Sequence, residues 1–293
     1  MSWLLLAFAS ALFLGFYDLA KKKSVQDNAV RPVLLLCSVF YALLMLPVLL
    51  SGNCEPLTLH DHLFLMGKSI IVGGSWLFTY SAIAHMPLSI STTIRALAPL
   101  FTIMIAVGFL GERPQVMQWI GIGICICSYI GLSLAGRKEM GHFFSNGWVV
   151  AMLLGTILAA CSGIYDKLIL QRMNFEPLTV QVWFSIYMCV VQFLTTMFTW
   201  YPTRKKTTPF QYRWSFLAVA ALLIVADRCY FLAVSDSNAL ISIITVLRRS
   251  SVFISFLAGI LIFKERKSKM KFLAMLGVVI GLCLISLGRY KVC

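Results

Sequence analysis

The chain has 293 residues, of which 60% are hydrophobic and only 12% charged, with a mean hydropathy of +0.87. A soluble domain carries about 25% charged residues, so this chain cannot cover a water-facing surface of its own size, and its solvent is lipid. The net charge of +14 then reads as basic loops between membrane spans, which serve as anchors and topology signals, and not as a nucleic-acid-binding surface.

Lipid requires every backbone polar group to be satisfied internally, which leaves helices or closed barrels. The apolar runs are about 20 residues long, not short alternating strands, so the expected class is an all-α integral membrane protein. Ten spans are predicted, at 3–20, 32–51, 66–84, 88–110, 117–136, 147–170, 178–200, 214–234, 238–262 and 270–288. The first run, Trp3 to Ala20, lacks a basic leader and a small-residue cleavage site and ends in Lys21-Lys22-Lys23, so it is expected to be retained as a span. The connections are short, with no room for a separate soluble domain between spans.

Spans 4 and 9 are copies of each other. LSISTTIRALAPLFTIMIAVGFLGER at 88–113 aligns without a gap on ISIITVLRRSSVFISFLAGILIFKER at 241–266, an offset of 153. Ser89 meets Ser242, Arg95 meets Arg248, Glu112 meets Glu265 and Arg113 meets Arg266. Spans 1 and 6 repeat as well: Ala7, Ala11, Gly15, Tyr17 and Asp18 are echoed by Gly155, Ala159, Gly163, Tyr165 and Asp166. Residues four apart share a helix face, so each copy carries a stripe of small residues that lets a neighbouring helix approach. Five spans per copy is an odd number, so the second copy enters the membrane from the opposite side. The expected organisation is therefore two inverted five-helix repeats, at 1–136 and 147–293, an architecture that recurs in transporters with the substrate site near the midplane.

With the 5+5 repeat, the Gly-Glu-Arg-Pro closing the fourth span at 111–114, its Lys-Glu-Arg echo at 264–266, and glycine-rich fifth and tenth spans, the chain resembles EamA-type members of the drug/metabolite transporter superfamily. The resemblance covers essentially the whole chain. It implies transport of a small molecule and cytoplasmic termini, and it leaves the cargo open, because that superfamily moves many kinds.

Charges inside spans carry the site expectation. An arginine at a bilayer centre costs roughly 2.5–3.5 kcal/mol on insertion scales, so intramembrane charges pair with one another or line a substrate path. Asp18, Arg95, Asp166, Lys167, Asp227, Arg228, Arg248 and Arg249 fall within spans. Two readings are open. In one, the aspartates pair with neighbouring arginines and only fix helix packing. In the other, Arg95 and Arg248 approach a central cavity from symmetry-related helices and hold an anionic or zwitterionic cargo, since guanidinium binds carboxylate or phosphate through two parallel hydrogen bonds. Asp227, Arg228, Asp18 and Asp166 complete the candidate binding set. Gly74-Ser75 is the repeat equivalent of Asp227-Arg228, so that charge pair is one-sided, and Gly73-Gly74 reads as a flexible point opposite it.

Nine cysteines lie mostly in apolar spans without framework spacing, and His60-Asp61-His62 matches no standard metal site. No nucleotide-binding or catalytic motif occurs, so neither enzyme activity, cofactor, metal nor ATP is expected. A membrane-embedded enzyme and a lipid-linked substrate flippase remain the rival readings. Expected partners are a small-molecule substrate and the bilayer of the plasma or inner membrane, with a homodimer open. Of the twenty Lys and Arg assigned outside spans, fifteen fall on one side and five, Lys68 among them, on the other; this bias puts both termini outside, against the orientation that the resemblance implies.

Overall fold

Each predicted span contains a helix. The computed structural model describes residues 3–25, 27–85, 94, 98–134, 147–204, 209–251 and 269–287. Among these there are ten α-helices and no strand: α1 (Trp3–Val25), α2 (Val30–Leu50), α3 (Leu59–His85), α4 (Ala98–Leu110), α5 (Val116–Leu134), α6 (Gly147–Lys167), α7 (Pro177–Thr199), α8 (Ser215–Ser235), α9 (Ile241–Arg249) and α10 (Lys269–Leu287). Among the described residues, α1, α2, α7, α8 and α6 with its π-helical extension Leu168–Arg172 are long and apolar enough to cross a membrane. α3 is 27 residues long, but its polar first turns around His60, Asp61 and His62 start well before the predicted boundary.

Local chemistry sets the helix ends. Thr58 and Asp61 form a capping box at the start of α3: the Asp61 carboxylate accepts from the Thr58 amide at 2.9 Å, and Thr58 Oγ1 accepts from the Asp61 amide at 3.3 Å. Glu176 caps α7 by accepting from the Thr179 amide at 2.7 Å, with Pro177 in the first turn, where a missing N–H costs nothing. Gly111 ends α4 at φ 66°, a left-handed conformation that glycine adopts without strain, and the Glu112 amide turns back to the Ala106 carbonyl at 3.2 Å. α9 closes at Arg249, with Ser250 in a turn. Ser251 is helical again, so Arg248 sits in the last turn before this one-residue break.

The chain divides into two compact units, Met1–Gly73 with Tyr165–Ser237, and Gly74–Ile164 with Asn238–Cys293. These units are a different division from the sequence halves, because each takes helices from both. In the first unit, α1 packs along α8, and α2 packs on α7 and α8. Ala7 and Ala11 are fully or almost fully buried, and Ser10 Oγ donates to the Ala226 carbonyl at 2.8 Å, so the small stripe of α1 is a packing seam. Gly73 belongs to the same packing: a Cβ there would meet Val191 Cγ1 at 2.3 Å. Close approach to α7 thus accounts for the glycine that read as a flexible point, and α3 runs through it as unbroken helix.

In the second unit, α5 and α10 pack closely, and α9 packs on α4 and α5. A Cβ on Gly121 would come 2.6 Å from the Gly281 carbonyl, and one on Gly281 would come 2.5 Å from Cys125 Sγ. α3 and α6 meet where Ser75 Oγ donates to the Gly155 carbonyl at 2.7 Å. The small stripe of α6 is only partly a seam: Gly155 is buried and Ala159 is exposed. Outward positions are apolar, among them Leu50, Phe109 and Val116, as a lipid solvent requires.

Candidate functional site

Two polar stations are built into the first unit, and α8 serves both. Asp227, Tyr230 and Phe231 lie three and four residues apart on α8, so they share one face. On α7, Gln181 and Phe184 stand one turn apart in the same way.

The first station centres on Asp166, at the end of α6. Its Oδ1 is ion-paired with the ammonium of Lys68 from α3, and its Oδ2 accepts from Tyr230 Oη at 3.0 Å. Lys68 and Asp166 are 2% and 4% exposed. The lysine ammonium also lies 4.4 Å from the ring centroids of both Phe184 and Phe231, so two aromatic faces take the place of water around it. Beside the pair, Tyr165 Oη donates to the Phe64 carbonyl at 3.1 Å and lies over Gly67, joining α6 to α3 a second time. The second station centres on Asp227, whose Oδ2 accepts from Tyr41 Oη at 3.2 Å. Gln181 Nε2 donates to Tyr41 Oη at 3.1 Å and to the Ile224 carbonyl at 2.8 Å, closing the network across α2, α7 and α8.

Lys68 is the residue that sequence reasoning misplaced. It was assigned to the flank beyond the spans and counted toward topology. In the structure, α3 begins at Leu59, so Lys68 lies more than two turns inside a helix and is buried. A signal was available: residue 68 already falls inside the span predicted at 66–84. Its partner was not legible, because Asp166 lies 98 positions away along the chain.

The remaining candidates are placed as follows. Asp18 is half-buried in α1, next to Tyr17, whose ring lies 5.2 Å from the Lys21 ammonium. Arg228 is half-buried, and its Nη1 is enclosed without a hydrogen-bond partner among the described residues. Arg248 and Arg249 are half-buried in the last turn of α9, where cations face the negative end of the helix dipole. Arg95 and Glu265-Arg266 lie outside the described residues.

Glu112 turns out to be a structural anchor in the second unit. It is 5% exposed, and its carboxylate accepts from the amides of Ile241 at 2.7 Å and Ser242 at 3.2 Å and from Ser242 Oγ. A carboxylate at a helix N-terminus meets both the unpaired amides and the positive end of the dipole. The glutamate of the Gly-Glu-Arg-Pro turn thus starts α9, the helix that carries Arg248, while Arg113 next to it is exposed.

His62 is engaged by aromatics: its Nδ1 is 2.9 Å from Tyr187 Oη, and its ring meets Trp183 edge-on at 4.4 Å. Cys54 in the preceding loop has its thiol pushed up from the ordinary value, first by burial and then by the Glu176 carboxylate. An open groove of about 580 Å³ in the second unit is lined by Trp119, Ile120, Gly123, Cys127 and Leu273 among others, mostly apolar among the described residues.

Comparison with known proteins agrees with this picture. The chain matches the EamA-like transporter family over residues 1–134 and again over 146–287. It is 24% identical over 254 residues to proteins named uncharacterized inner membrane transporter YedA from Escherichia coli strain K12 and from E. coli O157:H7, covering 85% of this chain and 78% of those. A crystal structure of a protein with 17% sequence identity superposes with a TM-score of 0.76 over 97% of this chain and 98% of that one, which shows a shared fold. The two family matches span nearly all of the sequence, and the chain belongs to the EamA-like transporter family.

Proposed function

We propose that this membrane transporter moves a small anionic or zwitterionic metabolite by alternating access, without ATP. In this reading the chain crosses the inner membrane ten times, as two inverted five-helix repeats at 1–136 and 147–293. The observation that carries the mechanism is the gap-free repeat at an offset of 153 in a member of a transporter family. Five spans per copy invert the second copy, and two inverted copies can exchange conformations to open a central site to one side and then the other. The named inner-membrane relatives support the location.

The cargo class follows from charge. Arg95 and Arg248 are repeat equivalents, and α9 delivers Arg248 from a start anchored by Glu112. Guanidinium groups approaching from two related helices suit a carboxylate or phosphate. Arg228, Asp227, Asp18 and Asp166 then tune the surrounding charge, and a zwitterionic cargo would use both signs.

A metabolite comparison between cells with and without the protein identifies the cargo without assuming one. Uptake of that cargo into vesicles then tests the site. Arg95→Ala and Arg248→Ala are each expected to abolish uptake while leaving an extractable, folded protein. Normal uptake by both variants would refute the anion site.

A further inference from the structure

One end of the first unit collects positive charge from two distant stretches. Among the described side chains of residues 19–31 and 196–215 are Lys21, Lys23, Arg31, Arg204 and Arg213 and a single acid, Asp27. The structure joins these stretches through hydrogen bonds in which no carboxylate takes part. Asn28 and Gln211 exchange two of them: Asn28 Nδ2 donates to the Gln211 carbonyl at 2.7 Å, and the Gln211 amide donates to Asn28 Oδ1 at 2.9 Å. Ser24 and Ser215 are bonded through their hydroxyls at 2.7 Å, and Arg213 Nη1 donates to the Lys23 carbonyl at 2.7 Å. Lys23 and Arg204 are exposed, and Arg31 and Arg213 are half-buried beside them. A basic rim of this kind attracts an anion.

The aromatics say which anion. Phe198 and Trp214 are 78% and 77% exposed, and Tyr201 and Tyr212 are about half exposed, all next to the basic residues and at the ends of the apolar helices α7 and α8. Arg204 lies 3.9 Å from the Tyr201 ring centroid, so ring and charge are presented together. Aromatic rings at the end of an apolar helix sit at headgroup level, and basic residues beside them meet lipid phosphate.

We propose that this rim, made by Lys23, Arg31, Arg204 and Arg213 with the Tyr201 and Trp214 rings, binds the phosphates of anionic phospholipid headgroups. It acts as a fixed anchor for the first unit at one membrane face, separate from any cargo site.

The test uses the full chain reconstituted in phosphatidylcholine vesicles containing graded amounts of phosphatidylglycerol. Quenching of tryptophan fluorescence by brominated forms of each lipid reports which lipid occupies the rim. The intact protein is expected to prefer phosphatidylglycerol, with each basic residue near the surface contributing about fivefold. Lys23→Gln with Arg204→Gln is expected to lower that preference by about 25-fold. Arg172→Gln, an exposed cation about 34 Å away at the other end of α7, is expected to leave it unchanged. A double variant that keeps the full preference overturns the proposal, as does a rim that water-soluble glycerol phosphate clears as well as lipid does. If the double variant does not reconstitute, the intact protein decides: the preference should collapse at about 0.5 M salt, and a salt-insensitive preference overturns the proposal.

Discussion

Replacing Lys68 with methionine tests whether the buried ion pair holds α3 to α6. Methionine keeps the length of the lysine stem and fills the space between Phe184 and Phe231 with a polarizable sulfur, so packing changes little. Electrostatics change completely: Asp166, 4% exposed, loses its cation and keeps the Tyr230 hydroxyl as a hydrogen-bond donor. Removing one partner of a buried pair costs about 3–5 kcal/mol, because the other charge is left without compensation. Asp166→Leu should fall at the lower end of that range, since two aromatic faces still stabilise the stranded ammonium by about 2 kcal/mol. Lys68→Met with Asp166→Leu removes both charges. Apolar replacement of a whole pair is often neutral or better, so the residual loss should be that of the Tyr230 hydrogen bond to Asp166, about 1–3 kcal/mol. Equilibrium unfolding of the full chain in mixed micelles, followed by tryptophan fluorescence as the sodium dodecyl sulfate fraction rises, measures all three. Single losses under about 1 kcal/mol, or losses that simply add in the double variant, would refute this account of the pair.

Glu112→Gln keeps the shape of the α9 cap but removes its charge, and should cost about 1–2 kcal/mol, seen as faster hydrogen exchange at the Ile241 and Ser242 amides. Gly281→Ala drives a Cβ into Cys125 and the Gly121 carbonyl and should destabilise by about 1–3 kcal/mol in the same unfolding assay, whereas Gly123→Ala, which meets open space, should not. The exposed Asp61 carboxyl is held below its ordinary value by the Thr58 hydroxyl and amide. A lowered folded-state value means that the cap is fully formed above the ordinary carboxylate range and is lost as pH falls through the folded value. Exchange of the first-turn amides of α3 should therefore speed up on acidification relative to a reference helix end, and Asp61→Asn should abolish that difference.

The class of this protein was written in its sequence. Apolar runs of about 20 residues with few charges determine helices in lipid, because hydropathy and helical rise are local properties. For the same reason every predicted span contains a helix, although charged first turns such as those of α3 were set aside as loop. The duplicated Glu-Arg pair pointed to the family for a similar reason: a repeat is visible along the chain whatever its three-dimensional use. The partners of the charges were another matter. Asp166 was a candidate from sequence, but its pairing with Lys68 across 98 residues was not, nor was the anchoring of α9 by Glu112 across 129. Periodicity says which face of a helix a side chain occupies, not which helix lies opposite. Only the packing of α3 on α6, and of α9 beside the end of α4, decided that one charged residue is an interior tether and another a helix cap.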